Sequence, residues 1–286
     1  MTTLMHKAFA VQAAGLTLAG DLRAAPGERG VAILLHGGGQ TRHSWSRTAA
    51  TLQESGWTAL ALDARGHGDS GWSSDGDYTM DRLVDDLSCV VDELDTEPVL
   101  IGASMGGITS LVAIGEGKVR ARGLVLVDVA PRVEASGVSR IHDFMTARRD
   151  GFASLDDVVD AIAAYNPHRP RPSNVDGVRK NVRLREDGRW HWHWDPAFLI
   201  SADEPTRSEH EHRLIAAARN IDVPTLVVRG GKSDVVTAAG TAELLEMVPG
   251  SREVVVAGAG HMIAGDDNAV FAASIATFLD EVSSPL

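Results

Sequence analysis

The sequence predicts an α/β fold: a doubly wound, mostly parallel sheet with a mainly helical cap inserted into it. Short apolar runs recur along the chain without alternating with polar residues, which is typical of parallel strands buried on both faces. Helix-like stretches separate these runs, as right-handed crossover connections require. The alternation of apolar runs and helix-like stretches is interrupted over residues 132–220. We therefore predict a core domain made of 1–131 and 221–286, and a cap made of 132–220.

The first twenty residues fit two interpretations. Lys7 among small residues is typical of a weak signal peptide, but Gln12 and Thr17 interrupt the apolar pattern. Two short strands around Gly15 explain the same residues equally well. Weighing the two, we predict a cytoplasmic protein.

From residue 31 onward, apolar runs and helix-like stretches alternate. The predicted strands lie within 31–37, 57–66, 98–104, 123–131, 224–230 and 252–261. The predicted helices cover 44–55, 80–95, 105–117, 238–247 and 267–281. The intervening region 132–220 has no strong strand run, is rich in proline in part, and holds three of the six tryptophans. An insertion there would cover the carboxyl edge of the sheet, where open α/β sheets bind ligands.

Composition narrows the range of partners. The formal net charge of −12 argues against nucleic acid or an anionic membrane as the main partner, and no apolar run is long enough for a transmembrane helix. The glycines at 36–39 lack the G-x-G-x-x-G spacing and no Walker lysine follows them, so we predict no cofactor. Cys89, the single cysteine, lies in a helical apolar pattern and is predicted to be a core thiol. A homodimer is compatible with the sequence.

A serine with glycines two residues before and two residues after it lies at the end of the apolar run 98–104. The pattern G-x-S-x-G, here Gly102, Ser104 and Gly106, is typical of a nucleophile elbow when it joins a strand to a helix. The turn is so tight that strand and helix nearly collide, and the positions two before and two after the serine must be small. Such a turn holds the hydroxyl at a helix N-terminus, which favours developing negative charge.

Other motifs also follow predicted strands. HGGG at 36–39 can present a backbone N–H opposite that of Met105, DARGHGDSG follows the next strand, GKSDVV carries Asp234, and GAGHMIAGD carries His261. In this order and spacing of serine, aspartate and histidine, each just past a strand end, the chain resembles the α/β-hydrolase family over essentially its whole length.

The resemblance implies a role for each matching residue. Ser104 would attack the substrate, His261 would take and return the proton, and Asp234 would orient the imidazole. The backbone N–H groups of Gly38 and Met105 would bind the oxyanion.

Two points within this assignment stay open. Asp128, which closes the apolar run at 123–131, is the alternative acid, because some members of the family place the carboxylate after that strand. His36 and His67 lie beside glycines, in segments that resemble structural loops of the family. We predict that both histidines form structural hydrogen bonds and take no part in the chemistry.

Departures from subfamily patterns favour one reaction. Ser104 excludes the chemistry of epoxide hydrolases and haloalkane dehalogenases, which resemble this chain but carry aspartate at the elbow. The carbon–carbon hydrolases often read G-N-S-M-G-G and follow the histidine with tryptophan, where this chain has Ala103 and Met262. We therefore predict hydrolysis of a small-molecule carboxylic ester or lactone through an acyl-enzyme on Ser104. The alternatives are a carbon–carbon bond hydrolase and a hydrolase-like small-molecule receptor.

The predicted cap contains an aromatic segment and a basic one. Trp190, Trp192 and Trp194 share one face if their segment is extended, and either pack the cap or line a substrate pocket. The neighbouring His191 and His193 lack a third ligand at a convincing spacing, so no metal is predicted.

Residues 168–190 hold seven basic and three acidic side chains, a net charge of +4. Such a run is either a solvated face or a site for an anionic substrate, with Arg179 and Arg183 as its candidate contacts. Gly39 and Met262, beside the predicted oxyanion and histidine loops, are further candidate substrate contacts.

Overall fold

The structure is a computed structural model that describes residues 5–26, 29–167, 171, 174–199, 206–263 and 269–283. Its centre is an eight-stranded sheet in the order β1-β2-β4-β3-β5-β6-β9-β10. The strands are β1 (Met5–Ala13), β2 (Leu16–Ala24), β3 (Val31–Leu35), β4 (Thr58–Leu62), β5 (Val99–Ala103), β6 (Gly123–Val127), β9 (Thr225–Gly230) and β10 (Arg252–Val256).

Within this sheet β2 is antiparallel to both of its neighbours, β1 and β4, and every other pairing is parallel. The sheet and its helices confirm the predicted α/β class. The helices are α1 (Ser46–Glu54), α2 (Met80–Asp92), α3 (Met105–Gly115), α4 (Ala135–Thr146), α5 (Leu155–Tyr165), α6 (Arg207–Arg219), α7 (Ala238–Met247) and α8 (Ala269–Ser283).

Helices cover both faces of the sheet, which explains why the strands read as unbroken apolar runs. Successive strand residues point to opposite faces, so Ile33 of β3 packs under α2 and α3 while Leu34 packs under α1 and α8. Both side chains are fully buried. The two cores together hold the parallel strands rigid and fix the positions of the loops at their carboxyl ends.

The hairpin β1–β2 corresponds to the second interpretation of the N-terminal residues. Its strands pair along nine positions, from Met5 opposite Ala24 to Ala13 opposite Leu16. Residues 1–4 lie outside the described part of the chain. Among the described helices, none has the length and apolar character needed to span a bilayer.

The boundary of the cap differs from the prediction. Helix α6, which we assigned to the cap, packs on α3, and its residues Leu214, Ala217 and Ala218 are buried in the main core. The two helices touch so closely that a Cβ atom added to Gly115 would lie 2.2 Å from the carbonyl oxygen of Ala217. The predicted boundary was placed just before the apolar run of the next strand. Helix α6 precedes that run and packs on the core through small residues, so the sequence pattern did not separate it from the cap.

The described part of the cap is less helical than predicted. It contains α4, α5, three-residue strands β7 (Val182–Leu184) and β8 (Trp190–Trp192), and two short 3-10 helices. The strands form an antiparallel hairpin. A separate small core, which includes Val158 and Trp192, holds these elements together above the carboxyl edge of the sheet.

Candidate active site

Ser104 occupies a sharp turn between β5 and α3. Its backbone has φ +46° and ψ −117°, a strained conformation for a residue with a side chain. A Cβ atom added to Gly102 would lie 2.4 Å from the carbonyl oxygen of Gly106, and one added to Gly106 would lie 2.5 Å from that of Leu35. Only glycine fits at both positions, as the G-x-S-x-G pattern predicts.

A continuous hydrogen-bonded chain joins Ser104, His261 and Asp128. Nε2 of His261 lies 3.1 Å from Oγ of Ser104, and Nδ1 of His261 lies 2.6 Å from Oδ2 of Asp128. The three residues come from loops that follow β5, β10 and β6, so the parallel sheet brings them to one edge. With a proton on Nδ1, the imidazole can accept the Ser104 proton at Nε2 and share the resulting charge with the carboxylate.

The carboxylate of Asp128 is buried and fully engaged. Oδ1 accepts the backbone N–H of Gly230 at 2.9 Å, and Oδ2 accepts the hydroxyl of Ser233 at 2.5 Å in addition to the His261 contact. The backbone of Asp128 has φ +52°, a conformation that aspartate tolerates better than most residues. These bonds hold the carboxylate at one orientation relative to the imidazole.

The prediction that Asp234 orients His261 is wrong on this geometry, and the alternative acid Asp128 occupies that place. The turn after β9 directs the side chain of Ser233 inward, toward Asp128, so the next side chain points outward. Asp234 is 41% exposed and forms an ion pair with Arg140 of α4 at 2.6 Å. Sequence order alone could not distinguish the two aspartates, because both follow the ends of central strands.

Ser233 is a site residue that the sequence reasoning missed. Its hydroxyl donates to Asp128 and accepts the backbone N–H groups of Val235 and Val236. It therefore ties the loop after β9 to the loop after β6. The signal that could have found it is the serine directly before Asp234 in a loop already assigned to the site.

Two residues, Gly38 and Met105, line the same cavity as Ser104 and could offer backbone N–H groups to it. Gly38 follows β3, and Met105 is the first residue of α3. Both residues line a cavity with Ser104, and within the described part of the chain neither N–H has a hydrogen-bond acceptor. The donors of an oxyanion hole must be unengaged until the negative charge develops, so Gly38 and Met105 stay the candidate donors.

The cavity above Ser104 has a volume of about 350 Å³. Apart from Ser104, Asp128, His261 and a few polar groups, its walls are apolar and come from the core and the cap. The apolar lining residues include Met80, Ile108, Val129, Val138, Ile141 and Phe198. A cavity of this size and character fits the acyl or alcohol part of a small apolar ester.

A second cavity of about 540 Å³ adjoins the first. Trp192 and Trp194 line it, stacked with their ring centroids 4.9 Å apart, together with Gly39. Met262 borders both cavities, and its sulfur accepts the side-chain amide of Gln40 at 3.1 Å. The predicted contacts Gly39, Met262 and the two tryptophans thus lie beside the site, although the tryptophans do not line the cavity above Ser104.

Arg179 and Arg183 do not contact either cavity, so their predicted role in substrate binding is wrong for this structure. Arg179 lies in a 3-10 helix, pairs with Asp176 at 3.0 Å and covers the ring of Trp190. Arg183 lies on β7 and pairs with Asp69 at 2.6 Å. The stretch is not one α-helix, so the two side chains do not share a helix face. Arg169, in the same basic run, lies outside the described residues.

We therefore expect Arg179→Ala and Arg183→Ala to leave substrate charge preference unchanged. Arg179 pairs with a residue of the cap, and Arg183 pairs with Asp69 of the loop after β4. Both ion pairs are exposed, so solvent screens them and they contribute little at a distance. The ratio of kcat/KM for a dicarboxylic half-ester to that for its neutral diester should stay within about twofold of the wild-type ratio, since screening leaves at most a small fraction of a kcal/mol at the cavity. A selective loss of the half-ester activity in either variant would contradict the placement of these arginines.

The fold and the geometry of the Ser104 site together define a class of protein. The chain matches the alpha/beta hydrolase fold family over residues 31–267, and it belongs to that family. The chain is 34% identical over 246 residues to the esterase Rv0045c of Mycobacterium tuberculosis, an alignment covering 82% of this chain and 77% of the relative. It is 27% identical over 230 residues to a 2-(acetamidomethylene)succinate hydrolase of Mesorhizobium japonicum, covering 78% and 79% of the two chains.

Solved structures show the same architecture. An alpha/beta hydrolase from Novosphingobium aromaticivorans superposes with a TM-score of 0.82 at 22% identity, over 98% of this chain and 99% of that chain. A crystal structure of Rv0045c superposes with a TM-score of 0.75 at 30% identity, over 98% and 92% of the two chains. Sequence and structure relatives thus agree on a hydrolase family, with an esterase among the relatives in both comparisons.

Proposed function

We propose that this protein hydrolyses a small-molecule carboxylic ester or lactone through an acyl-enzyme on Ser104. The observation that carries the proposal is the hydrogen-bonded chain Ser104–His261–Asp128, which opens into an apolar cavity. Gly38 and Met105 line the same cavity, and their N–H groups have no acceptor among the described residues. Nucleophile, base, orienting acid and oxyanion donors are the components that acyl transfer needs. The similarity to an esterase supports the choice of ester as the substrate class.

The proposed reaction runs in two halves. Oγ of Ser104 attacks the carbonyl carbon while Nε2 of His261 takes its proton, and Asp128 stabilises the imidazolium. The carbonyl oxygen becomes an oxyanion that accepts hydrogen bonds from Gly38 and Met105. Collapse of this intermediate breaks the ester C–O bond, and His261 returns the proton to the leaving alcohol. Water, activated by His261, then attacks the acyl-enzyme and releases the acid.

The cavity above Ser104 predicts a preference for uncharged, apolar esters. Each buried methylene contributes about 0.8 kcal/mol, so kcat/KM should rise up to about fourfold per carbon from p-nitrophenyl acetate until the cavity is filled. The measurement is steady-state hydrolysis of a p-nitrophenyl ester series, with lactones, half-esters and a ring-cleavage diketone in the same panel. The cytoplasmic location predicted from the sequence stays a prediction.

The same panel distinguishes the alternatives. Turnover of the diketone with no turnover of esters would assign the protein to the carbon–carbon hydrolases. Tight binding of a small molecule without turnover of any compound would assign it to the receptors. Either result would overturn ester hydrolysis as the function of the Ser104 site.

A further inference from the structure

Three buried histidines surround the loop that carries Gly38. His36 follows β3, His67 follows β4, and His193 belongs to the cap, just after β8. Each is no more than 1% exposed, and their rings lie in a row with centroids 5.3 Å and 5.8 Å apart. None of the three touches the Ser104–His261–Asp128 chain through a hydrogen bond in the described residues.

Each histidine bonds a different peptide unit of this loop, in consecutive order. Nδ1–H of His36 donates to the carbonyl of Gly37 at 2.8 Å, in the unit that joins Gly37 to Gly38. Nε2 of His67 accepts the N–H of Gly39 at 3.1 Å, in the next unit. Nε2–H of His193 faces the carbonyl of Gly39 at 3.4 Å, in the unit after that.

The second nitrogen of each ring determines which nitrogen carries the proton. In each case it bonds the backbone of the loop after β4: Nε2 of His36 accepts the N–H of Ala64, Nδ1–H of His67 donates to the carbonyl of Arg65, and Nδ1 of His193 accepts the N–H of Gly68. These bonds are all satisfied with one proton on each ring. The pattern requires three neutral imidazoles.

Burial keeps the three rings neutral. Loss of hydration lowers the pKa of His36, and it lowers the pKa of His67 to about 3, with His36 adding to the effect. The pKa of His193 is also well below its usual value, first because of burial and then because of His67. The hydrogen-bond pattern is therefore stable at neutral pH.

The first of these bonds determines the direction of the Gly38 N–H. In a trans peptide the C=O and N–H groups point in opposite directions. Because His36 and the backbone N–H of Gln40 hold the Gly37 carbonyl on one side, the Gly38 N–H points to the other side, and Gly38 lines the cavity that contains Ser104. Three successive glycines are otherwise free to turn, so this direction needs external support.

We propose that His36, His67 and His193 are positioning residues that hold the oxyanion-binding N–H of Gly38 in place, and that His193 makes the docked cap part of this support. The proposal rests on the function proposed above for Ser104. It deepens that function, because it assigns a role in transition-state binding to residues that touch neither the substrate nor the Ser104–His261–Asp128 chain.

Paired substitutions at His67 test the proposal. His67→Gln keeps an acceptor near the Gly39 N–H, whereas His67→Asn is too short to reach it but can still donate to the Arg65 carbonyl. Loss of a whole oxyanion donor costs about 10²–10³ in kcat, so misplacing one should cost His67→Asn about 10–100-fold, with KM changed less than about threefold. His67→Gln should stay within about fivefold of the wild type. His191→Asn is the control substitution of a histidine outside the row, because His191 lies on β8 of the cap and pairs with Asp187.

Two further readouts separate positioning from simple destabilisation. Affinity for an alkyl trifluoromethyl ketone, which forms an oxyanion on the serine, should fall in His67→Asn by the same factor as kcat/KM. Hydrogen exchange at the Gly39 amide should accelerate in His67→Asn and not in His67→Gln. Equal losses of kcat in both variants, or faster exchange with unchanged kcat and ketone affinity, would overturn the proposal.

The exchange measurement does not depend on catalysis, so the two proposals can fail separately. A wild-type protein that hydrolyses no ester refutes the proposed function and with it the transition-state role of the histidines. A wild-type protein that hydrolyses esters, but whose His67→Asn variant matches it in kcat, refutes the positioning role alone.

Discussion

Replacing Ser104 with alanine is expected to lower kcat for ester hydrolysis by at least about 10⁴-fold while the fold stays intact. The hydroxyl is the group that lies 3.1 Å from Nε2 of His261 at the edge of the apolar cavity, and alanine leaves no atom to form the acyl-enzyme. Alanine fits the space of serine but keeps the strained backbone, so the unfolding temperature should change little. The measurement is single-turnover and steady-state hydrolysis of the best p-nitrophenyl ester.

A covalent label provides the control for this substitution. A fluorophosphonate should modify the wild type once, at Ser104, and should not modify the variant. Ser70 and Ser110 are buried serines hydrogen-bonded to backbone carbonyls and serve as internal negative controls. Near-normal turnover by the alanine variant, or a label on another serine, would remove Ser104 from the mechanism.

The sheet could be predicted from the sequence because each central strand is buried on both faces. That burial leaves an unbroken apolar run, as in β3, β5 and β6, and the structure places a strand inside every predicted run. The turn at Ser104 could also be predicted, since the contacts of Gly102 and Gly106 leave no room for a side chain and the sequence therefore has glycine at both positions. The strands and this turn depend on residues close together in the sequence, so a local pattern is enough to predict them.

The features that could not be predicted depend on side-chain direction across loops. The choice between Asp128 and Asp234 is decided by Ser233, whose inward turn places the next residue outside. Likewise, α6 joins the core through small residues that pack against α3 at long range. Neither the choice of acid nor the packing of α6 produces a repeating pattern in the sequence, because each depends on contacts between segments that are far apart in the chain.

The same limit applies to the cap. The net positive charge of the run that contains Arg179 and Arg183 allowed a role in binding an anionic substrate. In the structure both guanidinium groups instead form exposed ion pairs with acidic side chains of the protein. Conversely, the sequence pattern marked His193 only as a possible metal ligand, and its contacts with two loops of the core depend on how the cap docks. Residues that act between domains are therefore the ones that sequence reasoning places least well.

Replacing Asp128 with asparagine should lower kcat by about 10²–10⁴-fold, because His261 loses both the group that fixes its tautomer and the charge that stabilises its cation. Asparagine has nearly the same shape and tolerates a positive φ, so the backbone at +52° is not disturbed. In asparagine an NH₂ group replaces either Oδ1 or Oδ2. That NH₂ would face another donor, either the Gly230 N–H or the Nδ1–H of His261, so one hydrogen bond is lost. The loss should appear in kcat with KM little changed.

Asp234→Asn is the matched control, since it makes the same chemical change one loop away. Asp234 is exposed and its ion pair with Arg140 is open to solvent, so kcat should stay within about threefold of the wild type. The comparison uses the same ester, pH and temperature for both variants, with thermal unfolding to confirm that each is folded. If Asp234→Asn shows the larger loss in kcat, the orienting acid is Asp234, and the loop after β9 must rearrange when substrate binds.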